Sequence, residues 1–423
     1  MVGTSATPSR PVLQLAIFVG GSLFIVQLGL AGAIGGLPIA FLLKDQLHVS
    51  ASMLSLFGAL SGVPLYIKPL LGLLIDAQPI FGSRRRSYLL IAGVMGTIAW
   101  LLLGLLPHQF GTLAPVAAQV NLAAVTAGTV LGAIIVEEGQ RLGATGRFAT
   151  LRMMASGLAG GAATIAGGYL TGYDLLFTAA IGASLFALLF SVTLGMLREP
   201  ERATPRRSWC RQLRAIRQAR ELWLVLGIFV LILMAPGFGT PLFFFQTNTL
   251  HFTAKQIAWM GTIGGTAGGV PGLALYTWLS RRMDARRVFL IAVAAHAATT
   301  LLYAGYRTLP LALGIITINA FTGAIAMTGG MDLATRATPR AAAALGFALI
   351  ASATNVTGAL SDLIGSGLYT HWNVTFLNLV WLNAATTALA LPIGLLLPRT
   401  LTQRREGETP PGSEAPGSDG TGV

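Results

Sequence analysis

Charge is scarce in this chain. Only 10% of its 423 residues are Asp, Glu, Lys or Arg, where a soluble domain carries about 25%. Cysteine is scarcer still. Cys210 is the single one, and that excludes an intramolecular disulfide framework. No metal-ligand spacing, no phosphate loop after a strand and no plausible nucleophile triad occurs. No catalytic residue, cofactor or metal is therefore expected. Acid is rarer than base, with 15 Asp and Glu against 28 Lys and Arg and a net charge of +13. An excess of this kind often marks a nucleic-acid partner. Here the arginines sit in short loops between apolar runs, so membrane topology accounts for them and no nucleic acid is expected.

What is abundant is apolar sequence, at 54%. Runs of about 20 apolar residues are long enough to cross the hydrocarbon core. The chain offers twelve, near 12–43, 52–76, 88–106, 113–136, 148–170, 174–197, 222–246, 256–280, 288–305, 309–331, 341–369 and 374–398. The first is too long for a cleavable leader and reads as a span. Even-numbered loops and both tails carry the arginines, among them Arg84, Arg85, Arg86, Arg141, Arg147 and Arg152. The opposite side has only Lys44, Lys255 and Arg307. That asymmetry fits both termini in the cytoplasm, and the cell's inner (plasma) membrane is the expected location.

The expected organisation is an N-terminal six-helix bundle over 1–197 and a basic cytoplasmic linker over 198–221. A C-terminal six-helix bundle over 222–398 and a disordered tail over 399–423 follow. Arg211, Arg214 and Arg217 recur at helical spacing, which suits an amphipathic helix on the inner leaflet. Gly146-Arg147-Phe148-Ala149 and Gly346-Phe347-Ala348 open the fifth and eleventh spans, a weak internal repeat. Gly32/Gly36, Gly157/Gly161 and Gly264/Gly268 are spaced for close helix contacts.

The stretch from Pro64 to Asp76 is an apolar helix with one lysine, Lys68, inside it. A turn with Pro79 and Gly82 then leads to Arg84-Arg85-Arg86. Gly72-x-x-x-Asp76 followed by basic residues resembles the loop between helices two and three of the major facilitator superfamily. With Lys68-Pro69-Leu70 and Pro79-Ile80-Phe81-Gly82 it is similar to the folate-biopterin transporter family. The run from Pro236 through Phe243-Phe244-Phe245-Gln246-Thr247-Asn248 to Leu250 resembles that family's seventh helix. Met331 to Pro339 and Phe347 to Ser352 resemble its tenth and eleventh, and Gln27 and Leu43-Lys44-Asp45 its first. Parts of the pattern are shared by muropeptide and siderophore permeases.

The resemblance implies an all-α polytopic protein with the twelve-helix major facilitator superfamily fold, two pseudo-symmetric six-helix bundles. It also implies a monomer in the lipid bilayer carrying a small organic substrate by alternating access, coupled to a proton or another ion. A folate- or pterin-like heteroaromatic anion is the first expectation. A muropeptide, siderophore or drug permease, or a non-transporting assembly or receptor protein, stays open.

Candidate substrate residues are Gln27, Lys68, Phe243, Phe244, Gln246 and Asn355. Lys68 lies eight residues before Asp76, about 12 Å inside the span. A charge there meets a substrate anion, snorkels, or pairs with another helix. The phenylalanines stack on a flat ring or face lipid. Candidate gating residues are Gly72, Asp76, Arg84, Arg85, Arg86, Glu137, Arg152, Asp332 and Arg336, with Asp76 expected to cap the start of the eleventh span near 341–344. Asp332 and Arg336, four apart, form an ion pair on one helical face. His296 relays protons or bonds a neighbouring helix. The family's fourth helix typically carries two aspartates where this chain has Gly128 and Gly132; if the family's aspartate faces Lys68, the anion here comes from the substrate or from Glu137 or Glu138.

Overall fold

The computed structural model describes residues 10–78, 80–81, 83, 85–141, 145–197, 209–339, 342–389 and 391–394. Pro79, Gly82, Arg84 and the tail lie outside this set, as do the side chains of Asp76, Arg147 and Cys210. Among the described residues the secondary structure is helical apart from one isolated bridge, Ile80 to Ser83.

The helices form twelve rods. α1 (Arg10–Leu28) and α2 (Gly36–Phe41) make the first. α3 (Ala51–Ser61), α4 (Val63–Tyr66) and α5 (Lys68–Ala77) make the second. α6 (Arg86–Leu105), α7 (Phe110–Arg141), α8 (Thr145–Leu170) and α9 (Leu175–Met196) complete the N-terminal half. α10 (Trp209–Gln218) precedes the C-terminal half. There the rods are α11 (Arg220–Leu233) with α12 (Gly239–Phe244), then α13 (Ala254–Leu279), α14 (Ala285–Thr300) and α15 (Leu309–Arg336). α16 (Ala343–His371) and α17 (Phe376–Leu389) with α18 (Leu391–Gly394) finish it. Seven of these helices are long and apolar enough to cross a membrane unaided. The first, second and seventh rods are broken, which membrane interiors tolerate only where other groups satisfy the freed backbone.

Two breaks repeat one another. Gly36-Leu37-Pro38 and Gly239-Thr240-Pro241 each open a short helix after an irregular turn. Each then widens into a π-turn, Leu42–Gln46 and Phe245–Thr249. Each ends at a histidine in the left-handed region, His48 (φ 48°) and His251 (φ 53°). Each is followed by a capped helix. Ser50 accepts from Met53 N, and Thr253 forms a reciprocal capping box with Gln256.

The breaks are stitched by side chains from neighbouring rods. In the N-terminal half the Asn121 Oδ1 accepts Ala31 N at 3.1 Å, and its Nδ2 donates to Ser61 O at 2.9 Å. Trp100 Nε1 donates to Gly29 O at 2.8 Å. In the C-terminal half Ser361 Oγ donates to Ala235 O at 2.6 Å, and Asn383 Nδ2 to Pro236 O at 2.9 Å.

The glycine pairs divide. A Cβ on Gly264 would stand 2.7 Å from Ile316 Cγ2, and one on Gly268 would collide with Thr317 O, so α13 and α15 touch there. Gly161 approaches Thr262 across the halves, with 3.3 Å left for a Cβ. Gly32, Gly36 and Gly157 meet nothing within 4 Å. The expected contact at Gly32/Gly36 is therefore corrected, because these glycines flank a helix break rather than a helix crossing.

The halves meet along two seams, α8 on α13 and the second rod on α16. α10 docks on the C-terminal half through buried Ile216, leaving Arg211, Arg214 and Arg217 exposed. The stretch 198–208 of the expected linker, and the expected tail, lie outside the described residues.

Candidate functional site

Lys68 is the first residue of α5, just past the kink at Ile67. Pro64 and Pro69 each remove a backbone donor, so the second rod bends here and turns the lysine toward the seam. Lys68 is half-buried and feels the positive field of Arg152 on α8. Neither cation forms an ion pair with a described carboxylate. Arg152 lies over the ring of Phe347 on α16, 5.9 Å from its centroid. A Cβ on Gly132 of α7 would stand 3.4 Å from Arg152 Nη1. One on Gly128 would meet only Val26, at 4.0 Å. Gly132 therefore faces Arg152 with no side chain of its own, while Gly128 leaves open space against α1.

One helical turn beyond Arg152, Ser156 accepts from Gln27 Nε2 of α1 at 3.4 Å. Gln27, Lys68 and Arg152 thus converge where α1, α5, α7 and α8 meet α16. Asn355 is exposed on α16, three residues from Ser352, whose Oγ donates to Leu65 O of the second rod at 3.3 Å. Two uncompensated cations, a polar pair and an exposed amide make a surface suited to an organic anion.

The phenylalanine run does three different things. Phe243 meets Phe41 edge-on at 5.1 Å, bringing α12 against α2 across the halves. Phe244 is buried. Phe245 stacks on Phe376 at 4.6 Å inside the C-terminal half. Gln246 is 5% exposed and donates to Tyr306 Oη at 2.6 Å, so it faces that same interior and is not brought to Lys68.

The expected gating residues form separate clusters. Arg85 pairs with Glu137 at 2.5 Å, tying the start of α6 to α7. Arg86 Nη2 donates to Leu194 O at 3.3 Å. Asp332 pairs with Arg336 at 2.8 Å and accepts from Tyr276 Oη at 2.8 Å, tying α15 to α13. Gly72 packs on Thr129 of α7. Arg84 and the side chain of Asp76 lie outside the described residues, as does Ala341, beside which Asp76 was expected to cap. His296 Nδ1 is 3.3 Å from Thr322 Oγ1, which bonds α14 to α15.

At the end away from the arginines the halves are in contact. Besides Phe41 and Phe243, Ser52 N donates to Thr370 Oγ1 at 3.1 Å. Lys255 lies over Tyr169 at 4.7 Å, and Trp259 Nε1 donates to the Tyr169 hydroxyl at 3.4 Å.

Sequence reasoning gave Asn121 no role and assigned none to Asp362. The signal was present for the breaks that they hold. Gly-x-Pro-x-x-Phe and Leu-His-x-Ser/Thr recur in the same order at Gly36–Ser50 and Gly239–Thr253.

Known proteins agree with this geometry. The nucleoside transporter NupG superposes with a TM-score of 0.68 at 17% identity, over 92% of this chain and 99% of its own. A D-xylose–proton symporter gives 0.69 at 14% identity, over 93% and 99%. These fix the fold as that of major facilitator transporters. The folate-biopterin transporter of Synechocystis sp. is 29% identical over 93% of this chain and 86% of its own length. Folate transporter 2 of Plasmodium falciparum is 26% identical over 61% and 57%. The chain is thus a multi-pass membrane transporter rather than an enzyme, and its match to the BT1 family over residues 28–410 places it in that family.

Proposed function

We propose that this protein is a secondary active transporter of a folate- or pterin-like organic anion, working by alternating access and coupled to protons. The observation that carries this reading is Lys68 beside Arg152 with no described carboxylate between them. An uncompensated pair of charges at membrane depth is costly unless a ligand supplies the opposite sign. The missing side chain at Gly132, beside Arg152, gives that ligand room. The names of the relatives support the heteroaromatic class. Muropeptides, siderophores and drugs are the competing cargo.

Gln27, Ser156 and Asn355 would bond neutral edges of the cargo, and Phe347 would fix the plane of Arg152. Phe243 against Phe41 would act as a gate rather than a stacking platform. The Arg85–Glu137 and Asp332–Arg336 clusters would stiffen the arginine-rich end. We assign that end to the cytoplasm by its positive charge, in a plasma membrane, with the transporter acting as a monomer.

The test is uptake of labelled folic acid into right-side-out and inside-out vesicles, with and without a pH gradient. Saturable uptake that Lys68→Gln abolishes is expected. Equal transport by Lys68→Gln and the native protein would overturn the anion role.

A further inference from the structure

Two similar helix breaks are stitched in chemically different ways. Asn121, which does not titrate, holds the break in the first rod. The break in the seventh is held by a carboxylate. Asp362 Oδ1 accepts Thr240 N at 3.0 Å, and Oδ2 accepts Thr240 Oγ1 at 2.6 Å. Next to it Gly237 N donates to Ser361 O at 2.8 Å. Asp362 lies nine residues from the end of α16, about 14 Å inside the span.

Among the described side chains it is the one carboxylate at such depth with no cation bonded to it. Asp332 has Arg336, and Glu137 has Arg85. Asp362 is half-exposed, so a proton has access.

We propose that Asp362 is the proton-binding residue of transport and that its charge state latches the gate formed by α12. The proposal rests on the proton-coupled, alternating-access reading above. Ionised Asp362 accepts two charge-assisted bonds from Thr240. These are roughly twice as strong as neutral ones. A proton from the outer solution adds to Oδ2. The new O–H turns to Thr240 Oγ, whose own proton turns away, and the Thr240 N–H bond to Oδ1 loses its charge. Thr240 is the second residue of α12, and Phe243 is one turn on. A weaker hold on Thr240 therefore frees Phe243 from Phe41 and opens the outer end. Loss of the proton to the other side closes it again.

Among the described side chains no other titratable group competes for this role. On α4 the Tyr66 hydroxyl donates to Ala59 O. On α5 Lys68 faces Arg152, and Asp76 is at the far end. On α11 Arg220 and Glu221 sit at the basic start, and on α15 Asp332 is paired. α3, α12 and α17 carry no charge. On α16 itself Tyr369 and His371 are about two turns further out. His296 on α14 reaches the cavity behind Ser361 but is bonded to Thr322.

The experiment needs no substrate. Spin labels are placed at Gln46→Cys and Asn248→Cys, both exposed at the outer ends of the first and seventh rods, in a Cys210→Ser background. Label separation is read in nanodiscs across pH. In the parent protein acidification should shift the closed-to-open ratio by about five- to tenfold, the difference between charged and neutral bonds. Asp362→Asn should hold the wide distribution at every pH. Thr240→Val, which removes one donor and no charge, should widen the neutral-pH distribution and still respond to acid. It carries the test if Asp362→Asn does not fold. A pH-independent parent, or an Asp362→Asn variant that titrates like it, overturns the proposal. Failure of the anion site shows separately, as folic acid binding unchanged in Lys68→Gln while the gate still titrates.

Discussion

A side-chain carbon on Gly132 would stand 3.4 Å from the Nη1 of Arg152. The position where relatives were expected to carry an acid therefore faces a cation with no described carboxylate partner, and in this chain it is empty. Gly132→Asp should fill it with a carboxylate bonded to Arg152. Folic acid affinity should fall at least about tenfold, because the new anion competes with the cargo, while the melting temperature holds or rises. Equilibrium binding and thermal melts on one preparation check both halves of this expectation.

Lys68→Gln should lower folic acid affinity by about 10–100-fold, since hydrogen bonds to a charged group contribute roughly 1.5–3 kcal/mol. Its melting temperature should stay close to the parent's, because Lys68 has no described ion-pair partner to lose. Lys68→Arg should recover only part of the affinity, a planar fork replacing a compact ammonium. A lysine that only props up the fold predicts the reverse pattern, with unfolding and no specific loss of binding.

Asn121→Ala should destabilise the N-terminal half. It strips partners from Ala31 N and Ser61 O, both in buried breaks. Each orphaned group costs about 1–3 kcal/mol. Thermal melting in detergent should show a clear drop, and Asn121→Asp should not rescue it, because a carboxylate cannot donate to Ser61 O.

Gly365→Ala and Gly367→Ala form a matched pair on α16. A Cβ on Gly365 would collide with Gly237 O, where the seventh rod's break is seated. A Cβ on Gly367 meets nothing within 4 Å. The first variant should lose expression or most of its thermal stability, and the second should resemble the parent. Fluorescence-detected size exclusion on both checks this directly.

Cys210 reports the membrane orientation. If the arginines of α10 lie on the cytoplasmic side, as the positive-inside rule leads us to propose, an impermeant maleimide should leave it unlabelled in intact cells and label it in inside-out vesicles. Labelling from outside would reverse the assignment.

The sequence by itself determined that this is a polytopic membrane protein. Scarce charge, twelve apolar runs and one-sided arginines leave little else, since hydrocarbon demands a fixed length and loops carry the charge. It also marked Lys68 and the missing acids, because a charge in an apolar run stands out without any coordinates. What only the tertiary structure decided is which of these groups meet. Lys68 and Arg152 are far apart in the chain and share a site because the second rod bends at Pro64 and Pro69. Phe243, Phe244 and Phe245 are adjacent, yet successive helical positions point about 100° apart and send them to Phe41, a core and a stacked ring. Asp362 stands out as a charge in an apolar run, but nothing near it in the chain names its partner. Its partner Thr240 is 122 residues away, in another helix, at a break whose backbone donors had to be satisfied from outside their own rod.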